Sequence, residues 1–523
     1  MPCGRRPSIA RRTARPGAGE PETADALPIP DLPPGPAERS GEFPFETAAA
    51  FMTAYLERAA TPVQVAERIL AWARESDAAD PPLRVFIAQS ADDLMEQARA
   101  SAARHAAGAS LGPLDGVPIA VKDEIDQRPY PTTVGTTFLG REPCAADAEV
   151  VARLRRAGAL LIGKANMHEI GMGVTGINPH HGAARNPYDP ARACGGSSSG
   201  PAAAVAAGFC PVAIGADGGG SVRIPAALCG LVGLKPTFGR VSERGAAPLC
   251  WSLAHIGPLA ASARDAALAY AAIAGPDPAD QNTLGRPRPT LDGSDREDLD
   301  GLRLGIDPAW FDNADPDVVA ACRRALDGLR DAGAVVVEVA VPGLAMARTV
   351  HLVTIASEMR AAHLLHHRRH RTLYGLDVRL NLALVRHIAS ADYVHAQRHR
   401  ARLRAVFREA LRSADAILTP TTTCTAPLVA ADALRTGESN LALGDRIMRN
   451  CPAANLTGLP AISFPVGHDE QGLPVGLQAI GRPWEEHVLL GLARAAERFV
   501  ERRRPRIHRR LLISGQWSVN SEQ

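Results

Sequence analysis

Two glycine-serine loops enclose a stretch with almost no bulk: Gly195-Gly196-Ser197-Ser198-Ser199-Gly200, the alanine-rich run Pro201 to Ala207, the apolar run Pro211 to Gly215, then Asp217-Gly218-Gly219-Gly220-Ser221-Val222-Arg223-Ile224-Pro225. A helix over Pro201 to Ala207 has side chains small enough for close neighbours, and a strand over Pro211 to Gly215 carries the chain back. The second loop is therefore expected beside the first, with Ser197 near Ser221. Three glycines before Ser221 leave consecutive backbone N–H groups unobstructed, as an oxyanion in acyl transfer requires.

A nucleophilic serine also needs a base, and this segment holds no histidine. Lysine supplies the candidate. Of 58 Lys+Arg residues, lysine occurs only at Lys122, Lys164 and Lys235. Codon bias accounts for the depletion but not for the three that remain. A guanidinium keeps its proton in a protein, whereas a buried ammonium can lose it. Taken alone, each lysine is as readily a structural donor as a base. Lys122 has the better context: it ends Gly116-Val117-Pro118-Ile119-Ala120-Val121-Lys122-Asp123, whose apolar run reads as a strand. Burial at a strand end lowers an ammonium pKa from its usual ~10.4.

Three motif matches point elsewhere and fail on context. Gly196 to Gly200 fits G-x-S-x-G, but Asp189 to Arg192 before it reads as a loop, where a nucleophile elbow needs a strand. Gly171 to Gly176 fits G-x-G-x-x-G with no strand running into it. Gly158 to Ala165 has the outline of a phosphate loop, but its interior reads as a strand and Ala165 replaces the hydroxyl.

At 523 residues, the chain has room for two or three domains or one large one. Its 46% hydrophobic and 22% charged residues are ordinary globular usage and exclude a disordered, collagen-like or coiled-coil chain. A net charge of +2 excludes a protein built to coat nucleic acid. Nine cysteines without metal-ligand spacing, and an Arg-rich start with no apolar segment after it, point to the cytoplasm. Ala193 to Ala216 is free of charge but too rich in glycine for a membrane span.

Elements alternate. Asp147 to Ala157 reads as an amphipathic helix and Ala159 to Ile162 as a strand; Leu302 to Ile306, a helix begun by Asp315-Pro316, Ala334 to Val339 and Ala416 to Leu418 continue the pattern. An α/β layered fold follows. The expected organisation is a disordered Arg/Pro-rich tail over residues 1–41, a helical lead-in over 42–110 capped at Thr61-Pro62, a catalytic domain over 111–501 with a helical insertion at 345–413, and a solvated basic tail over 502–523. Within the insertion His363, His366, His367 and His370 share one helix face, read as solvated rather than metal-binding because arginines crowd it and no carboxylate completes a ligand set.

With these residues in hand, the chain resembles the amidase signature family, whose hallmark is a Ser-cisSer-Lys triad. The likeness covers roughly Phe45 to Val500. The runs Gly163-Lys164-Ala165-Asn166-Met167-His168-Glu169-Ile170-Gly171-Met172-Gly173, Val121-Lys122-Asp123-Glu124-Ile125-Asp126 and Asp217 to Gly230 are most similar to plant fatty acid amide hydrolases. The resemblance implies a large mixed twisted β-sheet covered by helices on both faces. It makes Ser221 the nucleophile, Ser197 the bridging serine after a cis peptide, and Lys122 the base. It places the oxyanion donors at Gly218, Gly219, Gly220 and Ser221, sets Gly171 near the acyl chain, and gives Asp217 and Arg223 to loop support. Ala216 departs from the threonine usual in the family. No metal or cofactor is implied. The implied substrate is a small-molecule amide, long-chain N-acylethanolamines leading, with a homodimer expected and peripheral membrane contact left open. Rival readings are a short-chain or aryl amidase, the amidase component of a tRNA-dependent amidotransferase, and a silent scaffold.

Overall fold

The structure, a computed structural model, describes residues 43–437 and 440–512 together with Ile29, Leu32 and Pro33. The Arg5 to Arg15 cluster and nearly all of the 1–41 tail lie outside the described residues.

Thirteen strands occur among them: β1 Phe86–Ala88, β2 Pro118–Lys122, β3 Leu160–Ala165, β4 Arg185–Asn186, β5 Asp189–Ala193, β6 Val212–Ala216, β7 Val232–Lys235, β8 Ile256–Ala260, β9 Arg303–Ile306, β10 Val335–Glu338, β11 Ala416–Pro420, β12 Ala461–His468 and β13 Pro474–Gly481. Eleven form one sheet in the order β1-β3-β2-β6-β8-β7-β12-β13-β11-β9-β10. β3, β2 and β6 run parallel, as do β11, β9 and β10, while the middle is antiparallel. The mixed sheet with helices around it is the expected α/β architecture. Every residue of β2, β3, β6, β7, β8, β11 and β13 is buried, so both faces of the sheet are covered there.

The lead-in is helical at Ala48–Leu56, Pro62–Ala78 and Ala91–Ala106, and Thr61 and Gln64 form a reciprocal capping box. Its Phe51, Val65, Ile69 and Trp72 are buried in the main core. Between the helices lies β1, a strand that the sequence pattern does not announce, which pairs antiparallel with β3 and joins this segment to the sheet edge. The Pro316–Asp331 helix begins where expected, but Asp315 makes no side-chain cap bond; its carboxylate turns to Arg446 instead.

Asp189 to Arg192, expected as a loop, is a strand. It forms only a two-stranded ribbon with β4, outside the main sheet, so it does not create the elbow that G-x-S-x-G requires. β3 fills the interior of the apparent phosphate loop, as expected.

Residues 345–413 are mostly helical, as Leu344–His370, Leu376–Leu384 and Ser390–Ser413. They pack over a second apolar cluster containing Val350, Met359 and Phe407. The histidine face there is not wholly solvated: His363 is buried against Tyr374. Arg502 to Arg510 departs from a solvated tail more strongly. Arg502 stands over the Phe43 and Phe45 rings, 5.3 Å from each centroid, and donates to Gly230 O and Ala261 O. Arg509 stacks 4.3 Å over Trp72, and its backbone N–H caps Ala207 O at the end of the Ser199–Ala206 helix. Planar guanidinium groups can lie on aromatic faces while donating to free carbonyls, and charge counting does not reveal this.

Candidate active site

The C-terminal ends of parallel strands β2 and β6 form the site's floor, the edge at which open α/β sheets gather ligands. Lys122 is the last residue of β2. Asp217 to Ser221 follows directly on β6, and Ser197 precedes the Ser199–Ala206 helix. That helix is alanine-rich and wholly buried, so it packs closely enough to bring both loops to the strand ends.

Lys122 is 1% exposed and its Nζ donates to Ser197 Oγ at 2.8 Å and to Ala216 O at 3.3 Å. The Gly196–Ser197 peptide is cis, as the resemblance implies. Burial lowers the Lys122 pKa; Glu124, whose Oε2 lies 3.2 Å from Nζ, opposes that shift, as does Asp217, without reversing it. Ser198 laces the loops together: its N–H donates to Ser221 O at 3.3 Å and its hydroxyl to Ala216 O at 3.2 Å. Ser221 thus sits beside Ser197 through the backbone, while its own Oγ makes no hydrogen bond among the described residues.

The glycine loop is shaped by Asp217. Its Oδ1 accepts from Gly220 N–H at 2.7 Å and its Oδ2 from Val222 N–H at 3.1 Å. The Gly220 donor, expected to face an oxyanion, is therefore spent inside the turn. Gly218, Gly219 and Ser221 N–H have no acceptor among the described residues. Arg223 grips Asp217 through two nitrogens, each at 3.0 Å, with both side chains fully buried. Burial alone would raise the Asp217 carboxyl, but Arg223, then Asn455, hold it well below the usual carboxylate range. Gly171, at φ +70°, lies against the site: a Cβ there would stand 3.6 Å from Ser197 Oγ and 2.9 Å from Leu249 Cδ1.

Several neighbours carry no signal in the sequence pattern. His351, from the Leu344–His370 helix, donates from Nε2 to Gly218 O at 2.9 Å, and burial pushes its pKa down to about 4, so the ring is neutral at pH 7. Asn455 donates to Asp217 O and Oδ1, both at 2.9 Å. Cys250 packs on Gly218. Glu124 stands in a motif run, two residues after Lys122, without a role assigned by the resemblance. Lys164 and Lys235 are also buried; Lys164 bonds Ile125 O and Lys235 bonds Pro236 O, both in structural settings. Among the described residues no cluster of His, Cys, Asp or Glu has the makings of a metal site, the histidine face included.

The family model described as Amidase matches residues 67–490. A fatty acid amide hydrolase of Oryza sativa subsp. indica is 46% identical over 87% of this chain and 76% of its own length. A fatty acid amide hydrolase of Arabidopsis thaliana is 44% identical over 85% and 74%. Among solved structures, the native peptide amidase from Stenotrophomonas maltophilia superposes with a TM-score of 0.76 at 31% identity, covering 88% of this chain and 98% of that one.

Proposed function

The chain belongs to the amidase family and is an amide-cleaving serine hydrolase, and from that premise we propose that Ser221 is its nucleophile, Ser197 its relay and Lys122 its base. The observation that carries the reading is the 2.8 Å bond from Lys122 Nζ to Ser197 Oγ between two buried side chains. A base must hold a proton-accepting position and a depressed pKa together, and Lys122 has both.

In the proposed reaction neutral Lys122 takes the Ser197 proton while Ser197 takes that of Ser221, whose Oγ attacks the amide carbon. The oxyanion that forms is met by Gly218, Gly219 and Ser221 N–H. Collapse breaks the carbon–nitrogen bond, and the proton held on Lys122 returns through Ser197 to the departing amine. Water, deprotonated along the same route, cleaves the ester on Ser221 and releases the carboxylate. Asp217 and Arg223 hold the loop without touching the reacting atoms.

For substrate the reading favours fatty acid amides such as N-acylethanolamines, by likeness to the plant enzymes, with Gly171 beside the acyl chain. It includes a cytoplasmic homodimer in lipid degradation with peripheral membrane contact. Supporting such contact, Leu364 and Leu365 are exposed on the same helix as exposed Arg368 and Arg369. Amine release from N-acylethanolamines of rising chain length, beside a short aliphatic amide, an aryl amide and glutamine, tests the assignment. Turnover should rise with acyl length and vanish in Ser221→Ala. Turnover confined to the short or aryl amides, or to glutamine, would overturn the lipid reading.

A further inference from the structure

A cavity of ≈ 730 Å³ opens between the Ser390–Ser413 helix, the C-terminal end of the Pro452–Thr457 helix and the turn at Arg482 to Trp484. It is lined by none of Lys122, Ser197, Ser221 or the oxyanion glycines. Small-molecule sites span about 300 to 1,000 Å³, so the space is of ligand size.

Its walls are held in place. Phe238 N–H donates to Gly458 O at 3.0 Å, and Trp484 N–H to Thr237 Oγ1 at 2.9 Å. Trp484 has φ +73°, a conformation that bulky L-residues rarely adopt and that clusters at ligand sites. Its ring is flanked by the Arg240 and Arg286 guanidiniums at 4.8 and 5.5 Å from the centroid.

The charge is one-sided. Arg404, Arg408 and Arg412 recur every fourth residue, hence on one face of their helix. Arg412 pairs with Glu409, and Arg482 with Asp415 and Glu485. Arg286, Arg404 and Arg408 have no carboxylate partner among the described residues, although carboxylates answer arginines across much of the remaining surface. A second copy of this chain would meet the face with like charge in a two-fold contact. The complement is an anion, and the apolar wall of Phe238, Leu411, Leu459 and Trp484 asks for more than a bare one.

We propose that this cavity is a binding site for an organic anion with an apolar body, a carboxylate on an alkyl chain being the simplest form. Arg404 and Arg408 take the carboxylate and the aromatic wall takes the chain. The reaction proposed above releases such a carboxylate, but binding here does not depend on that reaction.

Calorimetric titration of the full chain with octanoate tests the site, with octan-1-ol and inorganic phosphate as parallel arms and Arg404→Gln/Arg408→Gln as the variant. Both arginines are exposed, so the variant is expected to fold, and its thermal melting checks this. Octanoate should bind the wild type and the Ser221→Ala chain alike and lose at least tenfold in affinity in the double variant. Octan-1-ol and phosphate should each bind at least tenfold more weakly than octanoate. No octanoate binding, or equal binding by the folded double variant, would overturn the site. Equal binding of octan-1-ol would overturn the role of the charge, and equal binding of phosphate that of the apolar wall.

Discussion

Glu124 Oε2 stands 3.2 Å from Lys122 Nζ with both side chains almost wholly buried, so the proposed base has a counter-charge of its own. A carboxylate at that distance stabilises the protonated lysine and works against the burial that would free it. Asp217 acts on the lysine in the same direction. Glu124→Gln removes the nearest of these, so the Lys122 pKa should fall further. The acid limb of the kcat/KM profile should then move to lower pH, by roughly one unit if the pair interacts by about 1.4 kcal/mol. An unmoved or upward-shifted limb would contradict the assignment of that limb to Lys122.

Lys122→Arg separates charge from basicity. Arginine preserves the cation but cannot give up its proton to become a base, so kcat should fall by a factor on the order of 10² to 10⁴. Lys122→Met should lose as much. Steady-state kinetics on one amide checks both, and an Arg variant near wild-type rate would show that the lysine acts only as a cation.

Those chemical residues are legible because they are local. β2, β3 and β6 announce themselves as short apolar runs bounded by glycine or charge, and the serine loops lie one helix and one strand apart. The middle of the sheet is not legible. β7 and β8 read Val-Gly-Leu-Lys and Ile-Gly-Pro-Leu-Ala, four and five residues whose glycine and proline argue against a strand until neighbours on both sides bury them. The same holds for His351 and Asn455, which reach the glycine loop from more than a hundred residues away and leave no spacing to read. The placing of Arg502 and Arg509 on aromatic rings is likewise a tertiary contact that composition hides.

Asp217→Ala should be costly to the fold. It strands the fully buried Arg223 guanidinium, and breaking one side of a buried pair costs about 3–5 kcal/mol. Asp217→Ala/Arg223→Met should recover part of the loss in denaturant titration. The Asp217 carboxyl is held below its unfolded value near ~3.9, so its contribution is fully present above that pH and drains as pH falls below it. Wild-type stability should accordingly lose more than the Asp217→Ala chain does on acidification below about pH 4.

A Cβ on Gly219 would lie 2.5 Å from His351 Nε2, so a side chain there must displace the loop or the ring. Gly219→Ala should displace the donor loop and cut kcat by roughly 10²-fold, since a shift near 1 Å at a reacting centre has that effect. Adding His351→Ala opens the space and should return part of the rate. A Gly219→Ala enzyme with full activity would remove the loop from the reaction.

Labelling with a fluorophosphonate, followed by peptide mapping, tests the central claim most directly, because it reports the attacking oxygen without assuming a substrate. One adduct per chain on Ser221 is predicted, formed far more slowly in Lys122→Met and not at all in Ser221→Ala. An adduct on Ser197 or Ser198, or labelling that persists in Ser221→Ala, would contradict the account.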